Sequence, residues 1–116
     1  IKSENNNLRE MGELLFKSLD IIEDCSVWLI DKHEENPEIS AAGATPFLNM
    51  FGWVLGGWVM LDSANKAQLI ILKDKNNKFA KEKINTASFF CNTYLPLASS
   101  LQNTIKKSFY ALESFN

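Results

Sequence analysis

The stretch Phe47–Leu61, FLNMFGWVLGGWVML, decides how this chain folds. It sets three glycines and two tryptophans in one apolar run whose single polar residue is Asn49. A helix that is apolar on every side has to be covered. The stretch is therefore expected to form the buried centre of a helical assembly, with Gly52, Gly56 and Gly57 marking where another backbone comes close. Gly52 and Gly56 stand four residues apart on one face. Each glycine costs an exposed helix about 1 kcal/mol relative to alanine, so close packing must offset it. Trp53 and Trp58 complete the expected packing and interface surface. A membrane span needs about 20 apolar residues, whereas Pro46 and Asp62 bound this run after 15, so no membrane role is expected.

Outward from this stretch, the pattern predicts two companion helices. Thr45 before Pro46 reads as a hydroxyl N-cap followed by proline at the first helical position, and the central helix is expected over residues 46–73. Upstream, Leu8, Leu15, Ile22 and Leu29 recur every seven residues, with Met11, Ser18 and Cys25 between them. That is the seam of a bundle helix, expected over residues 3–33 with Ser3 as N-cap. Asn36 precedes Pro37 and resists helical geometry, which closes the helix. Downstream, the polar turn Asp74–Lys78 leads to a third helix over residues 78–107. Ala80, Ala87, Tyr94 and Leu101 make one heptad row, and Ile84, Cys91, Ala98 and Ile105 the next. Pro96 interrupts one backbone bond inside this pattern and should kink the helix without ending it, because the periodicity runs on to Ile105. The last residues, SFYALESFN, are expected to leave as a short turn and a C-terminal tail. Helices of this length reach about 42–46 Å. Short links between them imply an all-α fold, an antiparallel up-down-up bundle of three long helices in a single domain over residues 1–116. The first residue is Ile1 and not methionine, so the chain is expected to be a piece of a longer protein.

Charge divides the chain. Residues 1–38 carry ten acids and four bases, and residues 39–116 four acids and eight bases. Six lysines, Lys66, Lys73, Lys75, Lys78, Lys81 and Lys83, gather around the second turn. The overall charge of −2 lacks the basic excess a nucleic-acid surface requires, so no nucleic-acid partner is expected. Cys25 and Cys91 sit outside any CxxC or His/Cys cluster and read as buried free thiols of a reducing compartment, which points to the cytoplasm.

Catalytic groups are scarce. His33, the one histidine, lies at a helix end among Asp31, Glu34 and Glu35 and reads as an exposed terminus residue. Those acids with Glu38 lack the spacing of a calcium loop and read as a solvated face. Ser99, Ser100 and Ser108 have no histidine beside them to activate them. The glycines of GWVLGGW lie within a helix and follow no strand, unlike a phosphate-binding loop. The aromatics Phe51, Trp53, Trp58, Phe89, Phe90 and Tyr94 fit core packing at helical spacing. From the residues alone, then, no catalytic, cofactor-binding or metal site is expected.

The segment Ala42–Ala67, AGATPFLNMFGWVLGGWVMLDSANKA, resembles the signature of a C-terminal helical domain of long bacterial acyl-CoA dehydrogenases. Members carry a YLRLFG…GGW core, matched by Phe47–Gly52 and by Gly56, Gly57 and Trp58. Asn49 stands where the family usually has a basic residue. A second block, FAKEKINTASFFCNTYLPL at Phe79–Leu97, is similar to the family's A…KLATARFYAEHLLP through Lys83, Ala87, Phe89, Phe90, Leu95 and Pro96. The tail resembles the family's ending at Ala111, Leu112, Glu113 and Phe115. The resemblance implies an accessory domain of an FAD-dependent enzyme of fatty acid metabolism. The full-length flavoprotein oxidoreductase would perform α,β-dehydrogenation of acyl-CoA thioesters. Flavin, acyl-CoA and the catalytic base would belong to upstream domains, so FAD is expected in the full-length enzyme and no cofactor in this chain. The implied partners are the upstream catalytic domains and a second subunit, as in a homodimer. A stand-alone helical interaction module is the alternative, and a sensor holding an acyl chain among the aromatics is a third reading.

Overall fold

A computed structural model describes residues 4–113. Among them all regular structure is helical and no strand occurs. The chain forms three rods. The first is α1 (Glu4–Glu35). The short helix α2 (Pro37–Ser40) and a 3₁₀ turn over Ala41–Gly43 join it to the second, α3 (Ala44–Lys73). The third is a pair of helices set end to end at Pro96, α4 (Lys78–Tyr94) and α5 (Leu97–Glu113). The expected N-cap Ser3 lies outside the described residues.

The first rod buries a line of small and flexible side chains, Met11, Ser18 and Cys25, with Leu15 beside them. The expected row Leu8, Ile22 and Leu29 packs half-buried at its edge. Ser18 sits where the third rod breaks. Its hydroxyl donates to Leu14 O at 2.8 Å, and Leu95 O lies 3.4 Å from the same oxygen. A proline inside a helix removes an N–H and leaves carbonyls short of partners. At this break Leu95 O also accepts from Ala98 N at 3.1 Å, so the chain passes through the kink with that carbonyl satisfied. In the third rod the row Ile84, Cys91, Ala98 and Ile105 is buried on both sides of the kink, and the heptad continues through it.

Three boundaries differ from the sequence expectation. Pro96, expected to kink one continuous helix, separates two, α4 stopping at Tyr94 and α5 starting at Leu97, because its ring carries no N–H to continue the bonding. α3 begins at Ala44, with Thr45 and Pro46 inside its first turn. The N-cap position is Gly43, in right-handed geometry and without a side-chain cap. The 3₁₀ turn supplies the reason: Ala44 N–H bonds to Ala41 O, so helical bonding flows through the connection and no hydroxyl cap is needed. The expected tail is also corrected. Residues 108–113 continue α5, because SFYALE contains neither proline nor glycine to stop it. Tyr110 stacks edge-on to Trp28 of α1 at 6.1 Å. Of the expected tail, residues 114–116 lie outside the described residues. At the other turn, Asn77 caps α4 by accepting from Ala80 N at 2.9 Å, a cap of the usual Asn type.

α3 is the central element and packs more extensively on α4 than on α1 or α5. Along α3, Gly43 meets Ile105, Trp53 meets Tyr94, Gly56 meets Phe90, and Gly57 accepts a weak contact from Cys91 Sγ at 3.8 Å. The partner numbers fall from 105 to 90–91 as the position rises from 43 to 56–57. Along α1 they rise together: Ser18 with Leu95, Asp24 with Gln102 and Lys106, and Trp28 with Tyr110. The described chain measures 62 × 22 × 18 Å.

The expectation that Phe47–Leu61 would be buried all round is not met. Met50, Val54 and Gly57 are buried, and Ala64, Ala67 and Ile71 continue that face. Leu48, Phe51, Leu55, Trp58 and Val59 stand exposed. Two neighbouring rods cover only one side of α3, and the apolar composition of its other side meets nothing in this chain.

Candidate functional site: an apolar groove between two helices

The five residues singled out from the sequence separate into two groups. Gly56 and Gly57 face the third rod. A Cβ on Gly56 would lie 2.7 Å from Phe90 Cζ, and one on Gly57 would lie 2.8 Å from Leu95 Cδ2. Both contacts are closer than the about 3.5–4.0 Å that carbon atoms prefer, so a side chain at either position would force Phe90 or Leu95 to shift. Trp53 is half-buried, its ring 6.1 Å from that of Tyr94. Gly52 and Trp58 lie on the open side. A Cβ on Gly52 meets no atom within 4 Å, and Trp58 is 63% exposed. The expectation that Gly52 seats a neighbouring helix therefore fails within this chain. The i, i+4 pair is split because the third rod covers Gly56 and leaves Gly52, one turn earlier, uncovered.

Trp58 belongs to a groove of about 520 Å³ between α1 and α3. Leu15 and Val54 form its floor. Phe16, Leu19 and Ile22 make one wall, and Phe51, Leu55 and Trp58 the other. Every lining side chain is apolar. Phe16 is 73% exposed, a large cost for a phenylalanine that could otherwise bury 1.5–3 kcal/mol (about that, by area). Sequence reasoning missed Phe16 and Leu19 of the α1 wall. The seven-residue seam drew attention to Leu8, Leu15, Ile22 and Leu29, and the off-seam signal was Phe16, Leu19, Val27 and Ile30. A second hollow of about 470 Å³ lies further along the same two helices, where Ile30 faces Phe47 and Leu48.

That hollow also holds His33 and Ser40. His33 Nδ1 is 3.2 Å from Ser40 Oγ, and the serine hydroxyl donates to Pro37 O at 3.1 Å. A nucleophilic serine must give its proton to the base. Here the proton goes to a carbonyl, so the consistent arrangement has the imidazole donating to serine. The pair clasps the α1–α3 connection. It was not expected from the sequence, which associated His33 only with acids. Asp31, Glu34, Glu35 and Glu38 are exposed, and Lys32 pairs with Glu35 at 3.2 Å. Among the described residues no three His, Cys, Asp or Glu side chains converge as metal ligands.

Other polar groups tie the rods together. Asp24 Oδ2 accepts from Lys106 Nζ at 3.1 Å and from Gln102 Nε2 at 2.5 Å. The lysine hydrogen bond first, and the glutamine second, hold the Asp24 carboxyl below its ordinary value. Lys32 lies 5.8 Å from the Trp28 ring centre and 5.7 Å from that of Tyr110, within cation–π range. Cys25 and Cys91 are free and buried. Burial pushes the Cys91 thiol up to about 11 and raises Cys25 as well, which removes the thiolate that reactivity requires. Their levels along the bundle differ: Asp24 lies beside Gln102, eleven residues beyond Cys91, roughly 16 Å of helix and too far for a disulfide.

The uncovered face of α3 has a further consequence. The helical stretch Ala41–Lys73 is long and apolar enough to cross a membrane by length and composition, with 17% of its most apolar window buried. Pro46 and Asp62 bound the 15-residue apolar run, but the helix extends past both. Core helices of soluble proteins meet the same criterion, and what it registers here is apolar surface left open.

A family model described as acetyl-CoA dehydrogenase C-terminal like matches residues 1–112. No curated protein and no solved structure matches the chain.

Proposed function

Because this chain belongs to the acetyl-CoA dehydrogenase C-terminal-like family, we propose that it is the accessory helical domain of an FAD-dependent acyl-CoA dehydrogenase and that its work is docking. The full-length enzyme would carry out α,β-dehydrogenation of an acyl-CoA thioester, with flavin, thioester and catalytic base all held by upstream domains. The residues here do not fit a flavin. The groove walls offer no acceptor and no polar side-chain donor beyond the Trp58 indole N–H for an isoalloxazine edge or a pyrophosphate, and the described glycines all keep ordinary backbone angles. No chemical step is therefore assigned to this chain.

In this reading residues 1–116 form one domain whose rods run up, down and up. The falling partner numbers between α3 and the third rod support that arrangement, as do the rising ones between α1 and the third rod. The observation that carries the docking role is the apolar wall of Phe51, Leu55 and Trp58 lying uncovered inside a family-matched segment. Large exposed apolar patches mark interaction surfaces. The partners are the upstream catalytic domains or a second subunit, in the cytoplasm, with no membrane or nucleic acid involved. The family match does not favour a stand-alone module.

The test is to mix the 116-residue chain with FAD, acyl-CoA and an electron acceptor. No acceptor reduction is expected, and turnover by this chain alone would contradict the assignment. Titrating acyl-CoA while following tryptophan fluorescence addresses the sensor reading. A flat trace is expected, and a saturable change would assign the groove to an acyl chain instead of a protein.

A further inference from the structure

We propose that α5 is a strap hinged at Pro96 and fastened to α1 largely by surface charged and aromatic groups, which opens and closes as a unit while α1, α3 and α4 stay packed. No residue of α5 lines either hollow between α1 and α3, so this motion does not depend on what that face holds.

Three observations select α5. First, the hinge is built in. Pro96 has no N–H to give the ladder, and Ala98 N reaches Leu95 O at 3.1 Å in a turn. Set end to end, α4 and α5 touch each other little, so α5 can swing without unwinding α4. Second, the two helices are equally long, 17 residues each, but held differently. α4 buries Ala80, Ile84, Ala87 and Cys91. Among its described residues α5 buries Ala98 and Ile105, with Leu101 half-buried. Few buried apolar contacts mark a segment that opens locally. Third, the ties from α5 to α1 lie at the surface. The Asp24 and Lys106 side chains are 54% and 33% exposed. Tyr110, which meets Trp28 and lies 5.7 Å from Lys32 Nζ, is exposed as well. Ion pairs in such positions contribute little and are screened by salt.

The two native thiols report on the two sides of the hinge. Both are fully buried. Cys91 lies against α3, its Sγ 3.8 Å from Gly57 O. Cys25 follows Asp24, which Gln102 and Lys106 of α5 grip. It stands one turn before Leu29, which packs on Gly43 beside Ile105. Release of α5 therefore uncovers Cys25 and leaves Cys91 covered.

The test labels the 116-residue chain with a disulfide reagent at urea concentrations below its unfolding transition, and peptide mass spectrometry assigns each thiol. Cys25 is expected to react at least about tenfold faster than Cys91. Its rate should also rise less steeply with urea, since a local opening exposes less surface than unfolding does. Ala80→Gly weakens α4, which stays packed when the strap opens. It should speed Cys91 by at least about fivefold and leave Cys25 unchanged. Lys106→Met breaks a tie lost in the open and the unfolded states alike, so both thiols should speed up together, about two- to fivefold. That substitution removes a positive charge that favours the Cys25 thiolate, so a faster Cys25 reports opening and not a more reactive sulfur. Far-UV circular dichroism checks that each variant keeps its helices. Equal rates and equal urea slopes for the two thiols would overturn the strap, as would an Ala80→Gly variant that speeds both alike. A Cys25 rate indifferent to Lys106→Met would mean that α5 is not what covers it, and would overturn it as well.

Discussion

Gly57→Ala measures how closely α3 and the third rod are pressed together. The added methyl would lie 2.8, 3.1 and 3.2 Å from Leu95 Cδ2, Cδ1 and Cγ. Carbon atoms prefer about 3.5–4.0 Å, so the leucine has to retreat by about 0.5–1 Å. It has little room, being 1% exposed and directly before Pro96, where the backbone is constrained. Overpacking of this kind costs about 1–3 kcal/mol, and alanine returns about 0.8–1 kcal/mol of helix propensity. The net expectation is a loss of about 1 kcal/mol, or roughly 4 °C in Tm for a chain of this size. Gly12→Ala on α1 is the control, since a Cβ there meets nothing within 4 Å. It should gain stability by about 0.5–1 kcal/mol. Urea unfolding followed by circular dichroism at a fixed protein concentration reads both. If Gly57→Ala is stabilised as much as Gly12→Ala, Leu95 gives way freely and the close approach of the rods does not require glycine.

Gly56→Leu should lose about 1–3 kcal/mol against the Phe90 ring, and an unchanged Tm would mean that the ring swings aside into solvent. Asp24→Asn should destabilise the chain at neutral pH by less than about 1 kcal/mol, since the pair with Lys106 is half-exposed and screened. Its folded carboxyl lies below 3.8. The stabilisation is therefore complete above that value and disappears as pH falls through the lowered one, so the Tm difference between variant and parent should close in acid. A gap that persists at the acid end would assign the effect to packing. The thiols of Cys25 and Cys91 should react with a disulfide reagent at least on the order of a hundredfold more slowly in the native chain than in urea, given burial and the scarcity of thiolate; equal rates would show that the core opens readily.

How far the sequence could be read depended on whether a signal was periodic or depended on neighbours. The heptads of the third rod survived Pro96 because Ile84, Cys91, Ala98 and Ile105 keep one face on both sides of the kink. The start of α3 was misplaced because Thr45–Pro46 is a good local signal overridden by a connection that was already helical. The absence of proline and glycine in SFYALE permits α5 to run to Glu113, but no local pattern carries the meeting of Tyr110 with Trp28, 82 residues away in the chain. The Ser40–His33 clasp is likewise formed by a turn whose geometry the sequence leaves open. For the groove, three of the five marked residues, Trp53, Gly56 and Gly57, proved to pack inside the bundle, and Gly52 and Trp58 to face outward.

That division explains the composition of Phe47–Leu61. A helix in a three-rod bundle needs one apolar stripe, and the opposite side is ordinarily polar. α3 satisfies its bundle with Met50, Val54 and Gly57 and then repeats the apolar choice at Leu48, Phe51, Leu55 and Trp58, where this chain supplies no partner. Stability of the isolated bundle gives no reason for the second stripe, because exposed apolar side chains gain nothing from folding. α1 does the same at Phe16 and Leu19, on the side that faces the same groove. Two helices independently departing from amphipathic pattern toward one shared cleft is what a covered interface requires and what a solvent-facing surface does not. α3 thus carries apolar stripes on two sides, only one of which is covered within these 116 residues.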